Sequence, residues 1–278
     1  MQNFSYFHET FNLRKLSSYY LQILLSKTEI CYAITDVVRN QHIAIKRKIF
    51  ENPSEDILTN FQNAVREDVY LNKHYKTVNF YFASENNTLV PLDFFDKKNA
   101  KDFYKSNHTL LAGEEVQFNF IEQIQTYNLY SIPSILINFL VNLFPEVRLF
   151  HSSTSFLMYF SIYSKKISSQ LKVVGINFNK NSFEIAVIKN QKLSFFNSFN
   201  FKTDEDAIYF LLNVFKKLDL DTKRQEIFVQ GNIEHGNKLY QYLLNFIPNT
   251  KFVVKFDWEF PFKQVSPHKH ALILSNIE

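Results

Sequence analysis

Residues 171–201 carry the pattern that most restricts the fold of this chain, because apolar and polar side chains alternate there through three consecutive segments. Polar turns at 179–182 and 189–192 separate the segments. Apolar residues at every second position share one face of an extended strand. These positions are Val174, Ile176 and Phe178, then Phe183, Ile185 and Val187, then Leu193, Phe195, Phe199 and Phe201. The pattern predicts a meander of three strands.

A second meander is predicted over residues 20–50, and each of the two is followed by a capped helix, a strand, a helix and a strand. Several residues correspond at an offset of about 150 positions, namely Lys27 with Lys180, Asn40-Gln41 with Asn190-Gln191, Glu55-Asp56 with Glu205-Asp206, and Asn63 with Asn213. We interpret this as an internal duplication at about half the chain length. Chance identity in a chain rich in Asn and Lys is the alternative.

Two helix starts are predicted from capping signals. Asn52-Pro53-Ser54-Glu55 offers an Asn cap, a Pro at the first helical position and a Glu that reaches back to the cap. Thr203-Asp204-Glu205-Asp206 offers a Thr cap and an acidic first turn, which suits the positive end of the helix dipole.

The middle of the chain departs from this order. A helical segment at 97–105 and two alternating stretches at 116–121 and 125–130 predict a small subdomain near 91–131 that contains a hairpin. Residues 1–18 show no clear period and are interpreted as an extension on the first lobe. The predicted domains are therefore 1–168, which includes this subdomain, and 169–278.

Composition excludes several classes of function. The chain has 4 glycines among 278 residues, where an average protein of this length carries about twenty, so backbone that closes on a phosphate is scarce. The net charge of +4 is scattered, which argues against nucleic-acid binding. The longest apolar segment, 132–144, is too short to span a membrane. The single cysteine, Cys31, falls on a predicted strand and is expected to be buried in a protein of the reducing cytoplasm.

The duplicated order of elements resembles the ribonuclease H-like lobes of the actin-like ATPase superfamily, and especially its bacterial pilus-assembly, cell-division and type II secretion members. Three stretches carry the resemblance, which are Ile132–Phe150 with the Ser-rich helix after it, Val174–Asn179 and Ile227–Asn232. The chain also resembles, over nearly its full length, an uncharacterised bacterial family assigned to this superfamily. The resemblance implies an α/β fold with two such lobes, each on a mixed five-stranded sheet.

The resemblance also implies a nucleotide site, from which this sequence departs. The family places an Asp and glycines in each phosphate hairpin, for Mg²⁺ and for the phosphates. The first hairpin here has Ser26-Lys27-Thr28, and the second has Asn177 and Asn179. If ATP with Mg²⁺ binds, the candidate residues are Asn177, Asn179, Lys180, Ser182, Gly231 and Asn232. The structural alternative for Gly231 is a simple exit from a strand.

Our preferred hypothesis is thus a catalytically degenerate actin-like protein that acts as a protein-interaction module, with no cofactor and an unknown protein partner. A nucleotide-binding protein or slow ATPase is the alternative. The aromatic stretch 256–262 is a candidate partner patch, and closure of the core by the same residues is the favoured explanation. His268 and His270 are spaced as possible metal ligands, but an ordinary polar segment is favoured.

Overall fold

The computed structural model describes residues 2–167, 172–254 and 258–275. They form two compact units. The first consists of the described residues within 1–155, 256–265 and 272–278, and the second of those within 156–255 and 266–271. The predicted boundary between residues 168 and 169 lies outside the described residues, so the domain assignment stays a prediction.

The strands and α-helices up to residue 167 follow the predicted order. One strand is added within the N-terminal extension, and one is added in the middle segment. The elements are β1 (Phe4–Phe7), β2 (Tyr20–Leu25), β3 (Glu29–Asp36), β4 (Gln41–Ile49), α1 (Ile57–Glu67), β5 (Thr77–Phe82), β6 (Asn87–Pro91), α2 (Ala100–Lys105), β7 (Glu114–Ile121), β8 (Thr126–Pro133), α3 (Ser134–Leu143), β9 (Arg148–His151) and α4 (Ser152–Ile167).

The first unit is built on a six-stranded mixed sheet with the order β1-β4-β3-β2-β5-β9. Neighbouring strands are antiparallel in the run β1-β4-β3-β2, whereas β2, β5 and β9 run parallel to one another. The expectation of five strands is corrected here, because β1, within the N-terminal extension, pairs along β4. Phe7 of β1 packs against Phe11 and Tyr70, with ring centroids 4.9 and 4.8 Å away, which anchors the added strand.

Helix α1 begins at Ile57, so the predicted cap at Asn52 is wrong. Asp56 caps the helix, and its Oδ2 accepts from the backbone N–H groups of Leu58 at 3.1 Å and Thr59 at 3.2 Å. The carbonyl of Asn52 accepts instead from the Asn60 side chain at 3.0 Å. The carboxylate next to the apolar run offers a charged acceptor to the helix dipole, which an amide four residues earlier does not.

One face of the first sheet forms the main core of the first unit. Helix α1 buries Phe61, Ala64 and Val65 there. The ring of Phe61 lies 5.6 Å from that of Phe80 on β5 and 5.7 Å from that of Phe139 on α3. The apolar periodicity of the two helices therefore produces one contiguous core with the alternating strands.

The added segment in the middle of the first unit forms a separate three-stranded antiparallel sheet with the order β6-β8-β7. The predicted hairpin is formed by β7 and β8. Helix α2 packs Tyr104 and Ala100 with Val90 and Leu129 of this sheet. The segment thus has a small core of its own.

The strands and α-helices after residue 171 repeat the order of the first meander and its helices. They are β10 (Lys172–Phe178), β11 (Ser182–Lys189), β12 (Lys192–Asn200), α5 (Asp204–Lys217), β13 (Ile227–Gly231), α6 (Lys238–Phe246), β14 (Thr250–Phe252) and α7 (Ala271–Leu274). The strand predicted at 252–256 ends at Phe252, and residues 255–257 lie outside the described part.

The second unit is built on a five-stranded mixed sheet with the order β12-β11-β10-β13-β14. Strands β12, β11 and β10 pair antiparallel, whereas β10, β13 and β14 run parallel. This is the order and direction of β4-β3-β2-β5-β9 in the first sheet. The predicted cap of α5 is confirmed, because Thr203 Oγ1 accepts from Asp206 N at 3.1 Å and Asp206 Oδ2 accepts from Thr203 N at 3.0 Å.

Candidate functional site

The candidate residues of the second sheet lie at one end of it, where the β10–β11 hairpin meets the end of β13. Asn177 is paired in register with Glu184 on β11 and with Gln230 on β13. Phe178, the next residue of β10, is paired with Gly231. The parallel pairing of β10 with β13 is what brings the hairpin and Gly231 together, although about 50 residues separate them in the sequence.

Asn177 forms the centre of a buried polar row that crosses three strands. Its Nδ2 donates to Glu184 Oε2 at 2.8 Å, and its Oδ1 accepts from Gln230 Nε2 at 3.3 Å. Asn177 and Gln230 are each 1% exposed and Glu184 is 5% exposed. The amide of Asn177 is therefore engaged on both sides inside the sheet. A buried carboxylate needs such a donor, since burial without one is costly.

Gly231 is explained by the packing of its backbone. Its φ is +84°, and a Cβ built there would lie 2.1 Å from the carbonyl oxygen of Phe178 and 2.9 Å from Asn177 Oδ1. The carbonyl of Phe178 also accepts from Asn232 N at 2.6 Å. Only glycine fits this left-handed, closely approached position without strain. The strand-exit explanation for Gly231 therefore has a specific physical basis.

The tip of the hairpin is exposed and closed by its own backbone. Asn179 N donates to Ser182 O at 2.8 Å, and the two side chains are 3.4 Å apart between Nδ2 and Oγ. Lys180 is exposed at the tip. Two backbone N–H groups of the candidate set, those of Asn179 and Asn232, are thus already hydrogen-bonded to carbonyls of the same sheet.

The structure brings five of the six candidates, Asn177, Asn179, Ser182, Gly231 and Asn232, into one connected cluster, with Lys180 at its exposed tip. Whether they bind a nucleotide stays a prediction. Sequence reasoning missed Glu184 and Gln230. The sequence did offer a signal. Glu184 stands between Phe183 and Ile185, on the opposite face of its strand, and Gln230 is the polar residue of the apolar stretch Ile227–Gly231.

The first sheet has an apolar and aromatic row at the same place. The register pairs Leu24 with Cys31 on β3 and with Tyr81 on β5, which is the arrangement of Asn177, Glu184 and Gln230. Cys31 is buried, as predicted, and burial raises the pKa of its thiol. The hairpin tip is closed by Ser26, whose Oγ accepts from Glu29 N at 3.2 Å.

Within residues 2–167, 172–254 and 258–275, no group of three or more His, Cys, Asp or Glu side chains is arranged to hold a metal ion. His268 and His270 are both buried, and the ring Nε2 of His268 lies 2.7 Å from the carbonyl oxygen of Ile233. His268 has its pKa lowered, mainly by burial. The explanation of this pair as a structural polar segment fits these contacts.

Trp258 and Phe262, from the aromatic stretch that was a candidate partner patch, close the core, which is the explanation that the sequence favoured. Residues 256 and 257 lie outside the described part, but Trp258 is 8% exposed and Phe262 is 6% exposed. The indole ring lies 5.6 Å from the His42 ring and 6.3 Å from the Tyr20 ring. Buried rings have no surface to offer a partner, so the patch hypothesis is wrong for Trp258 and Phe262.

The order and direction of the strands in the two sheets, together with the site at the end of the second meander, define a protein of the actin-like ATPase fold. A solved structure from Bacteroides thetaiotaomicron VPI-5482, described as a protein with actin-like ATPase fold and unknown function, matches with a TM-score of 0.82 at 25% identity. The match covers 96% of this chain and 100% of that chain.

Residues 8–250 match the family described as "Protein of unknown function (DUF3822)", and the chain belongs to that family. A chain of the PilM-PilN type IV pilus biogenesis complex is also similar in fold, with a TM-score of 0.60 at 9% identity, covering 92% of this chain and 96% of that chain. No curated protein matches this chain. No helix in the described residues is long and apolar enough to cross a membrane.

Proposed function

We propose that this protein is a catalytically degenerate actin-like protein that acts as a cytoplasmic protein-interaction module. The observation that carries the proposal is the buried row of Glu184, Asn177 and Gln230. The fold offers this end of the sheet for phosphates and Mg²⁺, but the amide of Asn177 binds its two neighbours across the sheet. The backbone of Gly231 likewise lies against the carbonyl of Phe178.

A nucleotide-binding protein or slow ATPase that uses the six candidate residues is the second candidate. The fold itself favours it, as does Gln230 Oε1, which is buried and has no hydrogen-bond partner among the described residues. For Mg-ATP to bind here, Asn177 must release Glu184 or Gln230, which leaves a buried polar group without its partner.

Thermal unfolding with and without Mg-ATP separates the two candidates. A ligand at 100 times its Kd stabilises the folded state by about 2.7 kcal/mol. We expect the unfolding temperature to stay constant up to millimolar Mg-ATP, with Mg-ADP and Mg²⁺ alone as controls. A saturable rise in the unfolding temperature that disappears in Asn177→Leu would reject the degenerate protein in favour of the nucleotide-binding protein.

The interaction part of the proposal is supported by the open edge of the second sheet. Strand β12 ends the sheet and, in the described part of the chain, pairs only with β11. Residues 193–201 between Lys192 and Lys202 carry no charge. An edge strand that carries no charge after its first residue, Lys192, is a template for another strand. The similar PilM chain was solved in a complex with PilN.

Site-specific cross-linking from β12 tests the interaction. A photo-reactive residue at Ser194 or Asn197, which are both exposed, is expected to capture a defined protein in cells. The same residue at Asn72, an exposed position of the first unit, is the control. The captured protein, once purified, must bind the wild type and lose affinity for Asn197→Lys. Failure of that reconstituted binding contradicts the proposal for this edge.

A further inference from the structure

The first unit contains a cavity of about 440 Å³ that no part of the proposed function uses. Strands β1, β4 and β3 form one wall, and residues 64–71 at the end of α1 form the other. Its apolar lining includes Ile30, Ala64 and Leu71, which are all buried. Small-molecule sites are typically cavities of this size with an apolar lining and a few polar groups that fix orientation.

Polar side chains point into this cavity because the strand register aligns them. Ser5 on β1, Lys46 on β4 and Tyr32 on β3 are directly opposite one another. Paired residues of antiparallel strands share one face of the sheet. Lys48 lies two positions further along β4, opposite Ile30, and therefore on the same face. Two ammonium groups thus border one cavity.

The carboxylate in the cavity wall, Asp68, already accepts from three donors. Asp68 Oδ2 accepts from the Tyr32 hydroxyl at 2.9 Å and from Lys46 Nζ at 2.8 Å, and Oδ1 accepts from Tyr70 N at 3.0 Å. Burial and the adjacent Asp68 raise the pKa of Tyr32, so its hydroxyl stays protonated and keeps donating. An ammonium group has three N–H donors, of which Asp68 takes one from Lys46. The cavity therefore has donors to offer a ligand.

The second ammonium group, that of Lys48, is paired with an exposed carboxylate that a ligand can displace. Lys48 Nζ pairs with Glu67, whose side chain is 63% exposed, whereas that of Lys48 is 29% exposed. Ion pairs with an exposed partner are weak, because water competes for both groups. An anion that enters the cavity therefore competes with Glu67 for Lys48 while Lys46 stays fixed by Asp68.

We propose that this cavity binds a small ligand that carries an oxyanion, either a carboxylate or a phosphate. Lys46 and Lys48 bind the oxyanion, and the buried side chains of Ile30, Ala64 and Leu71 close the cavity behind it. The ligand displaces Glu67 from Lys48 on binding. The site lies entirely in the first unit and does not depend on the proposed function.

Titration with simple probes tests the ligand class. Benzoate and phenyl phosphate carry the two oxyanions on the same ring, and benzyl alcohol is the neutral control. At least one oxyanion is expected to give saturable amide chemical-shift changes at residues 46–48 and 64–71, whereas benzyl alcohol gives none. The probe that binds more tightly identifies the carboxylate or the phosphate as the source.

Two substitutions at the cavity are expected to change the affinity for the oxyanion in opposite directions. Glu67→Gln removes the competing carboxylate and is expected to tighten binding by roughly threefold, while Lys48→Met weakens it by a similar factor. Lys46→Met is expected to weaken it roughly tenfold, the scale of a hydrogen bond to a charged group. Glu226→Gln and Lys251→Met, which break an ion pair of the second unit, are matched controls and should change nothing.

Saturable binding with this pattern of signs supports the site. The proposal is overturned if neither oxyanion saturates by about 10 mM, the range of very weak binding. It is equally overturned if Glu67→Gln binds no more tightly than the wild type. Glu67 and Lys48 both reach solvent, so these two variants are expected to fold and keep the test decisive even if Lys46→Met does not.

Discussion

The two sheets of this protein share the order and direction of five strands, yet they differ at the positions of the candidate site. The row Cys31, Leu24 and Tyr81 in the first sheet corresponds to Glu184, Asn177 and Gln230 in the second. At the next position along the strands, Phe82 is paired with Leu25 in the first sheet, and Gly231 is paired with Phe178 in the second. One architecture therefore accepts either an apolar row or a polar row whose side chains are joined by hydrogen bonds across the sheet.

The outer edges of the two sheets differ in the same instructive way. Strand β4 of the first sheet carries Lys46, Arg47 and Lys48 and is covered by β1. Its counterpart β12 carries no charge between residues 193 and 201 and is uncovered in the described part of the chain. Charged residues and covering strands are the usual ways to protect an edge. Beyond Lys192, the second sheet uses neither at β12 in the described part of the chain, which makes this edge the place to search for a partner.

The largest expected effect tests the difference between Gly231 and its counterpart Phe82. Gly231→Ala should destabilise the protein by about 2–5 kcal/mol, since a left-handed alanine is strained and its Cβ meets the Phe178 carbonyl. Gly113 has a similar φ of +81° but open space around it, so Gly113→Ala should lose only about 1–2 kcal/mol. Urea unfolding followed by far-UV circular dichroism measures both. Equal losses would show that the contact with Phe178 is unimportant.

The next effect comes from converting the polar row into the apolar one. Asn177→Leu places the residue of the first sheet into the second, which removes a donor from Glu184 and the acceptor of Gln230. We expect a loss of about 2–4 kcal/mol in the free energy of unfolding. The double variant Asn177→Leu with Glu184→Met removes the buried carboxylate as well.

The double variant should be less destabilised than the sum of its two single variants, because groups in one network are not additive. Glu184→Met alone completes the cycle, and each variant is compared by urea unfolding at the same pH. Additive losses would mean that Asn177 and Glu184 do not depend on each other, and the row would then be a chance alignment of polar residues.

The third effect is a pH dependence that the first unit owes to His42. Burial lowers the pKa of His42 to about 4, and Nε2 of the ring donates to the Leu274 carbonyl at 3.2 Å. The unfolded imidazole binds its proton below about pH 6.5. Stability is therefore lost as the pH falls from about 6.5 to about 4, at about 1.4 kcal/mol per pH unit.

His42→Leu tests this contribution, since Leu193 stands at the corresponding position of the second sheet. The variant should lose stability less steeply than the wild type between pH 6 and pH 4.5, by up to about 1.4 kcal/mol per pH unit. Urea midpoints at several pH values measure the slope. His151, whose pKa is lowered to about 3 by burial, keeps a similar slope in both proteins. Identical slopes in the two proteins would contradict the assignment to His42.

The smallest effect on stability is expected at the open edge. Asn197→Lys gives β12 a charge like those of β4 and should change the free energy of unfolding by no more than about 0.5 kcal/mol, because the residue is exposed. It should nevertheless raise the temperature at which light scattering begins on heating. Asn72→Lys adds the same charge away from any sheet edge and serves as the control. An equal rise in both variants would point to net charge and not to the edge.

The elements that sequence reasoning placed correctly are those with strong local signals. The alternation in 171–201, the capping box at Thr203 and the helical stripe of α1 depend on neighbours within a few residues. The wrong cap at Asn52 is a local error, since Asp56 lies next to the apolar run. The missed strand at the N-terminus depends instead on a distant part of the chain. Phe4–Phe7 has no period of its own, and it becomes a strand because β4 offers hydrogen bonds to it. Trp258 is as aromatic as a partner patch requires, and the contacts with Tyr20 and His42 decide for closure of the core, which the sequence favoured.

The amino-acid sequence alone determined the two meanders, the helix that follows each of them and the residues at the turns of the hairpins, since period, capping and residue identity are local properties. Only the tertiary structure decided what the remaining polar residues do. Asn177, Glu184 and Gln230 lie on three strands, and hydrogen bonds between them depend on a register that no short stretch specifies. The same is true of the cavity at Lys46 and Lys48, because the pairing of β1, β4 and β3 forms one wall and the packing of residues 64–71 forms the other.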